Sequence, residues 1–125
     1  MPNQKSLNIL VAEDDDLIGE LLGEMLTEMG HGVCAITTTE VDTVAAANQF
    51  QPDLLIVDFR LSPGSGIEAV DLIMQTRFIP HILVSGNIAK VRELRPDAVM
   101  LEKPYTRAAL TAAIRRTSDR SQNAA

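Results

Sequence analysis

The chain has 125 residues, enough for one domain with one core, and its 46% apolar and 22% charged content is ordinary for a globular protein. A net charge of −6 with 3% aromatic residues counts against nucleic-acid binding, because phosphate backbones need a basic face. No apolar run approaches a membrane span, residues Met1 to Ser6 lack a basic-then-apolar leader, and the lone Cys34 cannot form an internal disulfide, so a cytoplasmic protein without membrane contact is expected.

Leu7 to Ala12 is a short apolar run ending in acid, a first buried strand. Four consecutive acids, Glu13 to Asp16, follow it. Leu17, Ile18, Leu21, Leu22, Met25, Leu26 and Met29 then recur at helical spacing and predict an amphipathic helix, its methionines in the core. Asp15 or Asp16 can cap its start, and Gly30 and Gly32 stop it. His31, between those glycines, is expected to be exposed in a turn. Val33 to Ile36 reads as a second strand, and Cys34 within it as a core residue. Thr37 and Glu40 have capping-box spacing and open a helix through Val41, Val44, Ala45 and Ala47 to Phe50.

Pro52-Asp53 turns the chain into Leu54-Leu55-Ile56-Val57-Asp58. Four apolar residues in a row are too few for an ordinary helix; they fit a strand covered on both faces in a parallel sheet. Asp58 stands where this strand ends and a loop with Pro63, Gly64 and Gly66 begins. Ile67, Val70, Ile73 and Met74 mark a third helix. After Pro80 comes a fourth strand, His81 to Ser85, then Gly86. Residues 87–95 have room only for a short helix. Pro96-Asp97 turns into a fifth strand, Ala98 to Glu102, which Lys103-Pro104 ends. Thr106 begins a last helix with Ala109, Leu110, Ala113 and Ile114 inward, and Ser118 to Ala125 reads as a polar tail. Arg115, Arg116 and Arg120 read as a solvated face near that helix's C-terminus. The alternation predicts a single α/β domain over residues 1–125, a doubly wound five-stranded parallel sheet flanked by helices.

Four strand ends then meet at one sheet edge: Glu13-Asp14, Asp58, Ser85-Gly86 and Lys103-Pro104. Ligands bind at the carboxyl ends of strands in such sheets. Carboxylates gathered there must take up protons or bind a cation, and oxygen-only donors suit Mg²⁺. Asp58 can serve as a nucleophile toward phosphorus, with Lys103 as a fixed positive charge and Ser85 as a hydroxyl donor. His31 and His81 have no Cys or His partner at metal-ligand spacing and read as structural.

Ile9 to Asp15, Pro52 to Asp58, Leu61 with Gly66, Ile82 to Gly86, and Leu101-Glu102-Lys103-Pro104-Tyr105 together resemble the receiver domain of two-component response regulators. The resemblance runs along nearly the whole chain. It implies strand order 2-1-3-4-5 and phosphoryl transfer to Asp58 from a histidine kinase or histidine phosphotransfer protein. It implies Mg²⁺, or Mn²⁺, held by Asp14, Asp58 and the Arg60 backbone carbonyl, with Glu13 acting through water. Ser85 and Lys103 would contact the phosphoryl group, and the Lys103–Pro104 bond is often cis in such domains. Output would run through a downstream protein or a phosphorelay, from a monomer or weak dimer of the stand-alone type. The only chemistry expected is the domain's own phosphorylation and dephosphorylation.

The chain departs from the pattern in places. Ser62 stands where proline is common and Pro63 comes next; Ser85 and Lys103 are 18 positions apart, which implies a short or irregular fourth helix; and Met100 replaces the usual aromatic switch. Arg60 and Asn87 fall where receivers vary to tune phosphoryl lifetime, and Tyr105 is expected to be partly exposed. The main rival is a receiver-like interaction module that works without phosphorylation. An aspartate-nucleophile phosphatase of the haloacid dehalogenase type would want an acid where Arg60 stands. A flavodoxin-like carrier would want a phosphate-cradling loop where four acids stand.

Overall fold

A computed structural model describes residues 5–123. Strands and helices alternate as β1 (Asn8–Ala12), α1 (Asp16–Glu28), β2 (Gly32–Thr37), α2 (Glu40–Phe50), β3 (Leu54–Asp58), α3 (Gly66–Thr76), β4 (His81–Ser85), α4 (Ile88–Leu94), β5 (Val99–Glu102) and α5 (Arg107–Asn123). The five strands pair in parallel in the order β2-β1-β3-β4-β5. Among the described residues no helix is long and apolar enough to cross a membrane.

Alternation along each strand feeds two layers. Leu10, Ala12, Leu55, Val57 and Leu83 pack with Ala46 and Ala47 of α2, Val70 and Ile73 of α3, and Val91 of α4. Ile9, Val11, Leu54, Ile56, Ile82 and Val84 pack on the other side with Leu22 and Leu26 of α1 and Leu110, Ala113 and Ile114 of α5. Both faces are therefore covered, and β3 at the centre is buried at all five positions. A strand in that place has no solvated face to mark with polar residues, which is why it reads as an unbroken apolar run.

The chain leaves β1 toward β2 on one side and leaves β3 toward β4 on the other. The order reverses between β1 and β3, and loops that diverge there open a crevice at the carboxyl ends. Register carries the site residues to it. Ala12 pairs with Val57, Asp58 with Val84, and Ser85 with Glu102. Glu13, Phe59 and Lys103 extend the ladders by one bond each, to Thr37, Val84 and Ser85.

Several local readings change. In α1 the inner face is Gly19, Leu22, Gly23 and Leu26, while Leu17, Ile18 and Leu21 are exposed. The glycines turn inward because Ile36 of β2 fills the space; a Cβ on Gly19 would stand 3.0 Å from it. The cap of α2 is Thr39, which accepts the Asp42 N–H, whereas Thr37 ends β2 and its hydroxyl meets that of Thr43. His31 is buried, not exposed, and its Nδ1 accepts the Leu7 N–H. In α5, Ala109 faces solvent and Thr117 is buried. No glycine or proline interrupts the chain after Pro104, so α5 propagates through residues 118–123 instead of giving way to a tail. Residues 124–125 lie outside the described part. Asp15 caps α1 and the fourth helix has only seven residues, both in line with the sequence.

Candidate functional site: an acidic cluster with one lysine

Three carboxylates converge at the crevice. Glu13 leaves the end of β1, Asp14 follows it, and Asp58 ends β3. One oxygen from each lies within 4.8 Å of the others. Glu13 and Asp58 are buried, at 4% and 6% exposure, and Asp14 is exposed. Buried anions need partners. Lys103 arrives from beyond β5 and supplies them: its Nζ donates to Glu13 Oε1 at 2.9 Å and to Asp58 Oδ2. The Asp15 N–H donates to the other Glu13 oxygen at 3.1 Å, and the Arg60 N–H to Asp58 Oδ1 at 2.9 Å. The Lys103–Pro104 and Ser62–Pro63 peptide bonds are both cis.

The environment sets the protonation states. Burial pushes the Glu13 carboxyl up to about 7; the Lys103 and Asp15 hydrogen bonds pull it down, and Asp58 pushes it up further. Burial also works against the Lys103 ammonium, but Asp58 and Glu13 outweigh it and hold its pKa above the ordinary lysine value. Tyr105 borders the cluster, and burial, aided by the Glu13 charge, raises its hydroxyl.

Asp14, Asp58, Arg60, Ser85, Asn87 and Lys103 line one cleft, along with Phe59, Gly86 and Lys90. Ser85 is buried and its hydroxyl accepts the Asn87 N–H at 2.9 Å. Asn87 in turn caps α4 by accepting the Lys90 N–H. The short α4 thus begins at the cleft. All six residues singled out in the sequence, Glu13, Asp14, Asp58, Arg60, Ser85 and Lys103, meet here. Lys90 and Phe59 were not singled out. Lys90 could have been found from its place three residues after a capping Asn87.

The loop after Asp58 is built around a close approach. Gly66 opens α3 directly against the strand end, where a Cβ would lie 1.9 Å from the Asp58 carbonyl oxygen. Its N–H donates to Phe59, and Arg60 bridges to Ser65 across the loop. A residue larger than glycine would push α3 away from Asp58.

Chemically, the arrangement is a buried carboxylate with a fixed cation on one oxygen, two further carboxylates beside it, and an open side lined by hydroxyl and amide groups. Its donors are all oxygens within one ion's reach, which fits a hard divalent cation such as Mg²⁺.

Comparisons with known proteins converge. A family model described as the response regulator receiver domain matches residues 9–115. Transcriptional regulatory protein PdtaR of Mycobacterium tuberculosis is 31% identical over 110 residues, covering 85% of this chain and 54% of that protein. Among solved structures, anti-anti-sigma factor PhyR from Bartonella quintana superposes with a TM-score of 0.87 at 28% identity, covering 97% of this chain and 51% of that one. The solution structure of the Erythrobacter litoralis PhyR response regulator REC domain gives 0.82 at 25% identity, covering 90% and 89%. The chain spans about half the length of PdtaR.

Proposed function

The chain belongs to the response regulator receiver family, and on that premise we propose that Asp58 accepts a phosphoryl group from a histidine kinase or histidine phosphotransfer protein in a Mg²⁺-dependent reaction. The observation that carries this reading is the pairing of buried Asp58 with the Lys103 ammonium inside a cluster of three carboxylates. An Asp58 oxygen attacks phosphorus, the P–N bond to the donor's imidazole breaks, and its electron pair stays on the imidazole nitrogen. The product is an aspartyl phosphate, which water later hydrolyses to regenerate the carboxylate.

Each neighbour has a part in that exchange. Lys103 already donates to Asp58, and in the product it stays in reach of a phosphoryl oxygen. Ser85, whose oxygen accepts the Asn87 N–H, donates its own hydroxyl proton to a second phosphoryl oxygen. Gly86 adds no bulk at the mouth, with open space around it. Asp14, Asp58 and the Arg60 carbonyl would hold Mg²⁺, with Glu13 behind them, and the bound ion supplies positive charge beside the transferring group. The signal passes to a downstream protein or onward in a phosphorelay; an anti-anti-sigma factor among the structural relatives is in keeping with output through protein contact.

A beryllofluoride titration with Mg²⁺, followed in amide NMR spectra, tests the reading. Shifts at Asp58, Ser85, Asn87 and Lys103 that need both reagents and vanish in Asp58→Asn are expected. Unchanged spectra would favour an interaction module that works without phosphate.

A further inference from the structure

The phosphoacceptor loop is not held by its own strand and helix alone. The entry to α2, from Thr38 to Glu40, grips it at four points. The Glu40 N–H donates to the Pro63 carbonyl at 3.2 Å, and the Ser62 N–H donates to the Thr38 carbonyl at 3.4 Å. The Glu40 carboxylate accepts the Ser65 N–H at 3.0 Å. Gly64 presses against the same side chain, so that a Cβ there would stand 2.4 Å from the Glu40 Cβ. Glu40 is half-buried, 25 residues away in sequence from the amide it accepts.

What Glu40 holds is one step from the site. Ser65 caps α3 and bridges to Arg60 in antiparallel fashion. Arg60 donates its N–H to Asp58 Oδ1. The anchor of α2 is itself rigid, because buried Thr43 joins the Thr37 hydroxyl to the Thr39 carbonyl at 2.7 Å each, and the Thr37 carbonyl accepts the Glu13 N–H at 2.9 Å. A path of hydrogen bonds and chain neighbours thus runs from Glu13 around the corner of α2, through Glu40 to Ser65, across the loop by the Gly66 N–H to the Phe59 carbonyl, and from Arg60 back to Asp58.

We propose that Glu40 is a positioning residue for the phosphoacceptor site: by accepting the Ser65 N–H it fixes the loop that carries the Arg60 carbonyl, and with it the geometry offered to the cation beside Asp58. The proposal rests on the Mg²⁺-dependent reading of the site given above. Partners one shell out from a metal's ligands orient those ligands, and removing one typically weakens metal binding about 10- to 100-fold. Glu40 acts from further out, through Ser65 and the loop, so the lower end is expected. A charged acceptor is not essential to this role, because a glutamine oxygen at the same place accepts the same N–H.

The test compares the native chain, Glu40→Ala and Glu40→Gln by Mg²⁺ calorimetry and by hydrogen exchange at the Ser65 amide. Glu40→Ala should bind Mg²⁺ about 10-fold more weakly and lose Ser65 protection, while Glu40→Gln keeps both near their native values. Equal weakening in the two variants would overturn the proposal, since it would mark Glu40 as a distant charge rather than a tether. Native affinity in Glu40→Ala would overturn it as well. Absence of Mg²⁺ binding by the native chain would instead sink the underlying functional reading, an outcome distinct from the failure of the tether alone.

Discussion

Replacing Lys103 with Met keeps most of the aliphatic stem and removes the ammonium shared by Glu13 and Asp58. Two losses follow. Asp58 forfeits a hydrogen bond between charged groups, worth about 1.5–3 kcal/mol, and the 27% exposure of the lysine side chain places it at about 1.5 kcal/mol. The second loss depends on pH. Glu13 titrates at about 7 in the folded chain against an ordinary value of 4.5, so folding strengthens its hold on the proton. Its contribution to stability is therefore full at low pH, falls as pH rises from the unfolded value to about 7, and levels off above that. Without the ammonium, the Asp58 charge acts on Glu13 unopposed. The hydrogen bond that pulls the Glu13 carboxyl down is gone, while burial and Asp58 still push it up, so Glu13 keeps its proton to higher pH than in the native chain. The variant goes on losing stability above pH 7, at about 1.4 kcal/mol per pH unit. The gap to the native chain should be about 1.5 kcal/mol at pH 5.5 and about 3 kcal/mol at pH 8. Urea unfolding followed by circular dichroism, without divalent metal, measures both. A gap of equal size at the two pH values would refute the reasoning, because Glu13 would then titrate independently of Lys103.

Two other outcomes follow from the same geometry. Metal binding favours the ionised form of Glu13, so Mg²⁺ should release about one proton at pH 6 and almost none at pH 8.5; calorimetry in buffers of different ionisation enthalpy reads this, and a heat independent of buffer at pH 6 would contradict it. Gly66→Ala forces a Cβ to within 1.9 Å of the Asp58 carbonyl and should cost about 3 kcal/mol or more. Gly86→Ala, with nothing within 4 Å, should leave thermal unfolding unchanged; equal losses in the two variants would mean that α3 is not held against Asp58 as described.

The sheet was legible in the sequence because the strands are short apolar runs that stop at a polar residue, and four of those stops form the site. Leu54 to Asp58 shows both features in five residues. The short α4 was legible from spacing alone, since residues 87–95 leave room for little else. The phase of α1 was legible only in part: Leu22, Met25, Leu26 and Met29 pack on the core as expected, but Leu17, Ile18 and Leu21 do not. Its inner face carries Gly19 and Gly23, which have no hydropathy signal, while Leu17 and Leu21 point to solvent at 65% and 52% exposure. Burial of His31 depends on its bond to Leu7, 24 residues away, and the Glu40–Ser65 bond spans 25. Local pattern cannot report contacts made only when β2 and α2 settle beside β1 and β3. The end of α5 was misread for the opposite reason: polar residues suggested a tail, yet nothing in them breaks a helix already started.

The central claim is that Asp58 takes up a phosphoryl group. Intact-mass spectrometry after incubation with acetyl phosphate and Mg²⁺, on the native chain and on Asp58→Asn, tests it most directly. A mass gain of one phosphoryl group, abolished by chelating the metal and absent in the variant, is the predicted result. No gain in the native chain, or an equal gain in Asp58→Asn, would contradict it.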